Sequence, residues 1–398
     1  MRISTAELNS AAVTAILNQQ SALARTQTQL GTGNRLTSPA DDPLAAAQLQ
    51  RLNRSVAQQT QFTNNIGAAT TSLNLEESAT ADTYTLLQRV RELALEANTS
   101  TESSSDRADI AAEVQQRLQE LQGIANRQDA TGGYLFSGYS TGTPAYTLGA
   151  SGYTYNGDAG QRSVQVDEQN SIAMGDSGAV VFGNVRQGNG DFVTSAASAN
   201  TGTGVIDVGS ITSRADWVSQ GYTISFTDAT DWQVTDSSGT QVASGTYTSG
   251  GNIDFNGAEV SITGTPAAGD SFSIAPSATE DVFTTLQNLY NALTSPANAT
   301  TAGRAQVTSQ LTASLQQLDN SMDHVDSVRA VIGARLGMLD TVTSAQSARS
   351  VDVQSQISSL SDTDYTSTAS KMSQQLLGLQ AAQQSYAAIA KLSLFNYL

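Results

Sequence analysis

The 398 residues carry 19 Lys and Arg against 36 Asp and Glu, a formal net charge of −17, with no cysteine and a single histidine. That balance argues against a nucleic-acid partner, which needs a Lys/Arg surface facing phosphate, and the missing thiols exclude disulfides, thiolate catalysis and cysteine zinc sites. Only 14% of residues are charged, so most of the polar surface is Ser, Thr, Asn, Gln and Gly.

The N-terminal stretch lacks the apolar run of a cleavable secretory signal, and nothing in the chain approaches a membrane span. No membrane partner is expected, and on this ground alone the chain reads as cytosolic. Ser4 followed by Glu7 fits a capping box. A stripe spaced three and four then runs Val13, Ile16, Gln20, Leu23, Gln27 and Leu30, and Arg2, Glu7 and Arg25 are the only charges before Gly31. This predicts a helix with a narrow apolar seam. Gly31 and Gly33 stop it, and Asp42-Pro43 supplies an N-cap and a first helical position for the next helix.

From Leu44 to about Asn98 there is no Pro and a single Gly, and Leu49, Leu52, Val56, Ile66, Leu73, Tyr84, Leu87 and Ala94 keep one heptad register. A helix that long packs along other long helices. A Ser/Thr-rich break leads to a third helix, Asp106 to Arg127. Residues 131–285 then hold 24 of the 32 glycines and 16 of the 23 aromatics, in short alternating runs separated by turn signals. Asn256-Gly257 between Asp254 and Val260 is a hairpin cue, and the region reads as an all-β domain, sandwich or small barrel. Helical periodicity resumes at about Thr279, breaks at Pro296 and Gly303, and continues as a second very long helix through Val342. Asp362-Thr363-Asp364 caps a last helix with Met372, Leu376, Leu379, Ala382, Tyr386 and Ile389 in its stripe, ending on Leu392, Leu394, Phe395, Tyr397 and Leu398. Beyond Tyr365 the only charged side chains are Lys371 and Lys391.

The predicted fold is α+β, a long antiparallel helical rod or coiled-coil bundle formed by both chain ends, with an inserted all-β domain. Residues 1–38 and 363–398 form a terminal coiled-coil segment, 39–136 and 279–362 a helical rod, and 137–278 the insert. No catalytic constellation emerges. His324 sits on a rod helix, and the paired acids Asp41-Asp42, Glu76-Glu77 and Asp228/Asp231 lie on caps, faces and loops. No enzyme activity, metal or cofactor is expected. Trp217 and Trp232 suit a β core better than a sugar platform. The chemistry left is assembly: under-charged helices can bury more than one face without desolvating unpaired ions. Alone they lack enough neighbours to offset ordering entropy, which predicts folding on polymer contact.

Four stretches carry a resemblance. They are Arg35-Leu-Thr-Ser-Pro-Ala-Asp-Asp-Pro-Leu-Ala-Ala46, Gly133-Tyr-Leu-Phe-Ser-Gly-Tyr139, Val331 to Asp340, and the ending Leu379 to Leu398. In this order they resemble the flagellin superfamily, and the loop residues Pro39, Asp41, Asp42 and Pro43 resemble its hook–filament junction branch. The resemblance implies an extracellular protein of the bacterial flagellum, exported by the flagellar type III route without a cleaved signal. It implies a ring of copies between the first junction protein on the hook side and flagellin on the filament side, and a cytosolic export chaperone. It also places Val13, Ile16, Leu23 and Leu30 opposite Met372, Leu376, Leu379 and Tyr386, with Ile389, Leu392 and Phe395 continuing the interface. A flagellin-type filament subunit is the nearest alternative, and an enzyme or lectin domain on a helical stalk a more distant one.

Overall fold

The computed structural model describes residues 5–99, 103–150 and 152–391. The chain divides into two compact units, residues 1–64 with 341–398 and residues 65–340. The helices, in order, are α1 (Thr5–Thr32), α2 (Pro43–Ala97), α3 (Ser104–Ala125), α4 (Gly178–Val181), α5 (Val282–Leu293), α6 (Thr301–Ser361) and α7 (Tyr365–Lys391). Both unit boundaries fall inside continuous helices, α2 and α6. The predicted class is what is found: long helices from both chain ends and an inserted antiparallel β region.

Local chemistry fixes most helix ends. Asp42 Oδ1 accepts the Ala45 N–H at 3.0 Å, one turn into α2. Ser103 and Asp106 form a reciprocal capping box on α3, which therefore starts two residues before Asp106. Of the predicted cap on α7, Asp364 does the work, accepting from Thr366 N and Ser367 N at 2.9 and 3.1 Å. Asp362 instead accepts from the hydroxyls of Ser358 and Ser361. The Ser4 half of the predicted cap on α1 lies outside the described residues.

Other boundaries also differ from expectation, and α6 runs on past Val342 to Ser361. Thr279–Glu280 is a strand paired with Val185–Arg186, and α5 begins only at Val282, capped by Asp281. Gly303 does not break a helix but lies in the first turn of α6. A Cβ there would collide with Ala297 O, so glycine lets the preceding Pro296–Ala299 turn fold back onto the helix start.

The β region is a two-sheet sandwich with hairpins attached. One sheet runs Gln241–Thr246, Asp231–Asp236, Tyr222–Phe226, Ser271–Pro276, Phe192–Ala196; the other runs Asn252–Phe255, Ala258–Thr263, Val205–Ile206, and Ser210–Ile211 also pairs with Ala258–Thr263. Asn256 and Gly257 make the expected tight turn, both with positive φ (41° and 77°). The two sheets share one core built from Phe192, Ile224, Phe226, Val260, Phe272 and their neighbours, with both tryptophans packed against it. The sandwich thus spans about residues 192–276, whereas the hairpins before it pack on helices. Tyr146 and Tyr153 stack on Phe283 of α5 with centroids 4.3 and 4.9 Å away, and Asn126, capping α3, bonds the Tyr146 backbone in both directions.

Ionic ties join the helices of residues 65–340. Arg91 and Arg329 reach Asp319 and Glu77 at 2.5 and 2.7 Å, linking α2 to α6. Arg335 grips Asp176 with two bonds of 2.7 and 3.1 Å, and Gln161 donates to the same carboxylate. Glu76, 2% exposed, accepts the Asp176 N–H at 2.9 Å through Oε1, while its Oε2 has no partner among the described residues. Burial first, and then the Asp176 carboxylate, push Glu76 up to about 8. The folded state therefore holds a proton here that the unfolded state releases near its ordinary 4.5, so stability falls as pH rises from 4.5 to 8. Glu76→Gln keeps the acceptor and removes the titration. In urea unfolding at pH 5 and pH 8, the parent should lose on the order of a few kcal/mol that the variant keeps; parallel profiles would refute this.

Candidate assembly site

The two chain ends meet in one unit, where α1 and α7 pack along each other. Leu23 is buried, and Ile16, Leu30, Met372, Leu379 and Tyr386 are half-buried. Val13 and Leu376 lie at the margin and are exposed. Ile389 continues α7, whereas Leu392 and Phe395 lie outside the described residues.

The seam itself is rotated from the predicted one. Gln20 and Gln27 are exposed, and their places are taken by Gln19, which is half-buried, and Thr26, which is buried. Thr26 returns its hydroxyl to Ala22 O at 3.0 Å, so it can be buried with its donor satisfied, which a long amide at 27 could not do on the same helix turn. Gln19 Nε2 donates to Gln375 O at 3.3 Å. Gly378 faces the same spot: a Cβ there would lie 2.8 Å from Gln19 Nε2. Gln19, Thr26, Gln375 and Gly378 were missed because apolar spacing gives polar and side-chain-less residues no weight.

Backbone hydrogen bonds also tie the connectors that flank these helices to one another. Arg35 N–H donates to Ser361 O at 2.6 Å, Thr363 N–H to Gly33 O at 2.9 Å, and the Arg35 guanidinium to Leu360 O at 2.8 Å. Asp41 gathers the backbone N–H groups of Thr37 and Ser38 and the Thr37 hydroxyl. These donors, the Thr37 hydroxyl first, hold its carboxyl below the usual range. Pro39 and Pro43, with Leu36, Ala46, Leu49 and Arg54, border an open hollow of about 920 Å³ between this loop and the first turns of α2. The two prolines and two aspartates thus shape one rigid corner.

What the unit does not cover is as informative. Leu17 and Leu377 are 59% and 67% exposed, and Leu44, Val351 and Tyr365 are also open. With Val13 and Leu376, seven of the fourteen exposed large apolar side chains among the described residues fall in this unit, which holds under a third of the chain. The described residues contain no group of three His, Cys, Asp or Glu able to hold a metal, and no helix long and apolar enough to cross a membrane. His324 bonds Val180 O at 2.8 Å, a tie between α6 and α4.

Comparison with known proteins gives this arrangement a context. Residues 3–141 match the bacterial flagellin N-terminal helical region, and residues 195–276, the sandwich, match the D2-like domain of flagellar hook-associated protein 1. The flagellar hook-associated protein 3 of Salmonella typhimurium is 26% identical over 398 residues, covering 100% of this chain and 99% of its own. The crystal structure of Xanthomonas campestris FlgL superposes with a TM-score of 0.74 at 32% identity, covering 77% of this chain and 99% of that one. That of the flagellar junction protein FlgL from Legionella pneumophila gives 0.72 at 32% identity, over 79% and 99%. By this likeness over nearly the whole of each relative, the chain belongs to the flagellar hook-associated protein 3 (FlgL) family.

Proposed function

We propose that the protein is a structural component of the bacterial flagellum that forms the junction between the first hook-associated protein and the flagellin filament, without catalysis. Copies of the chain assemble as a ring. Residues 1–38 and 363–398 supply its core, while 39–136 with 279–362 form the helical layer that carries the 137–278 insert. The protein acts outside the cell. It reaches that place through the flagellar type III route, with an export chaperone holding the C-terminal helix beforehand. A filament-subunit role is the second reading, favoured by the match of residues 3–141 to the flagellin N-terminal region.

The observation that carries the proposal is the division of charge. Residues 1–64 and 341–398 hold 8 Lys/Arg and 6 Asp/Glu, a net of +2, whereas residues 65–340 hold 11 and 30, a net of −19. A surface that stays in water benefits from strong net charge. A surface that becomes buried by copies of itself has to avoid it, because each unpaired ion costs several kcal/mol to desolvate. The uncovered Leu17 and Leu377 lie on the sparsely charged unit, where each would contribute roughly 1.5–3 kcal/mol on full burial.

Three outcomes follow. A cell lacking this protein should release flagellin monomers into the medium and grow no filaments; normal filaments would defeat the junction role. Leu377→Glu should leave the monomer's unfolding free energy within about 0.5 kcal/mol of the parent and yet abolish incorporation into flagella, scored by immunogold labelling. In the isolated monomer, amides of residues 5–30 and 370–391 should exchange far faster than those of buried α2 positions such as Leu73 and Leu87. Protection equal to that of α2 would show that the ends are already folded before assembly.

A further inference from the structure

Within residues 65–340, the strand Phe192–Ala196, helices α5 and α6 and the paired strands near Gln187 and Glu280 enclose a cleft of about 420 Å³. That volume lies within the usual range for small-molecule sites. Among the described residues its lining contains no Lys, Arg, His or aromatic side chain, which disfavours an anion or a stacked base. It consists largely of neutral amides and hydroxyls, with one carboxylate, Glu280.

Two features go beyond a merely polar wall. Glu280 is held by donors at both oxygens, Thr285 Oγ1 to Oε1 at 2.8 Å and Gln187 Nε2 to Oε2 at 2.6 Å. A carboxylate has about four lone-pair sites, so it can accept more while staying fixed in place. Gln317, only 6% exposed, lines the cleft with its Nε2 buried and without an acceptor among the described residues. An unmet buried donor costs about 1–3 kcal/mol, which an occupant with an acceptor recovers when the Gln317 amide turns its N–H into the cleft. Asn288 of α5 and Gln310 of α6 add exposed amides at the rim.

The occupant has to donate to Glu280, accept from Gln317 and carry no negative charge. A hydroxyl does both. We propose that this cleft binds a neutral, hydroxyl-rich ligand of monosaccharide size, through hydroxyls that donate to Glu280 and accept from Gln317 Nε2. This site is independent of the assembly face, and binding would be measurable in the monomer whether or not the junction role holds.

The full-length protein can be titrated with glucose, galactose and N-acetylglucosamine by saturation-transfer NMR and calorimetry. At least one sugar should bind with a Kd of roughly millimolar or tighter. Gln317→Leu should weaken that binding about tenfold or more. Asn288→Leu, at an exposed position that leaves the core untouched, should weaken it several-fold, and it decides the matter if Gln317→Leu does not fold. No transfer from any of the three sugars, or binding unchanged in folded variants, would overturn the assignment.

Discussion

Covering a helix on two sides costs least when neither side carries an unpaired ion that would lose its water. That constraint governs both ends of this chain. α1 and α7 contain almost no charged side chains, and their mutual seam uses up only one face of each. Small and self-satisfied residues make that seam close. Gly378 admits Gln19, and Thr26 bonds its own helix, so polar atoms enter the contact with little desolvation cost. The remaining faces present Leu17 and Leu377 among amides and hydroxyls, a surface that loses little on meeting another of its kind.

Residues 65–340 follow the opposite rule. Here charge is abundant and is used directionally, in arginine–carboxylate pairs that set α2 against α6 and fasten the loop around Asp176. The half-exposed Arg91–Asp319 and Arg329–Glu77 pairs add little stability individually but fix register through their geometry, whereas in Arg335–Asp176 the carboxylate is buried. Glu76 is the exception. Buried beside Asp176, it trades stability at higher pH for a bond to that loop's backbone. The sandwich has one such tie, Arg214 to Asp191 at 2.6 Å, and its two sheets close on a shared aromatic and aliphatic core.

The Asn126–Tyr146 exchange and the stacking on Phe283 show how the insert region is seated on the helices. They also explain why the β composition begins near residue 131 while the sandwich starts only at about 192. Hairpins rich in Gly and Tyr resemble sandwich strands in composition, yet they bury their aromatics against α3 and α5. Composition registers the aromatic rings but not the surface they pack on.

By itself the sequence determined the elements whose causes are local. Asp42-Pro43, Asp364 and Asn256-Gly257 act within four residues of themselves, and the absence of Pro allows α2 and α6 their lengths, so caps, turns and long helices were legible. The near absence of ions at both ends was legible too, since it is composition. Tertiary structure alone decided which residues of those helices meet. One residue turns a helix by about 100°, so a stripe through Gln20 and Gln27 and a seam through Gln19 and Thr26 differ by one step that only the partner helix can choose. Gly303 reads as a breaker until Ala297 O is seen against it. Asp176, Arg335 and Glu76 are separated by 100 to 259 residues, and no periodicity links them; they meet because the chain path brings two helices and a loop to one point.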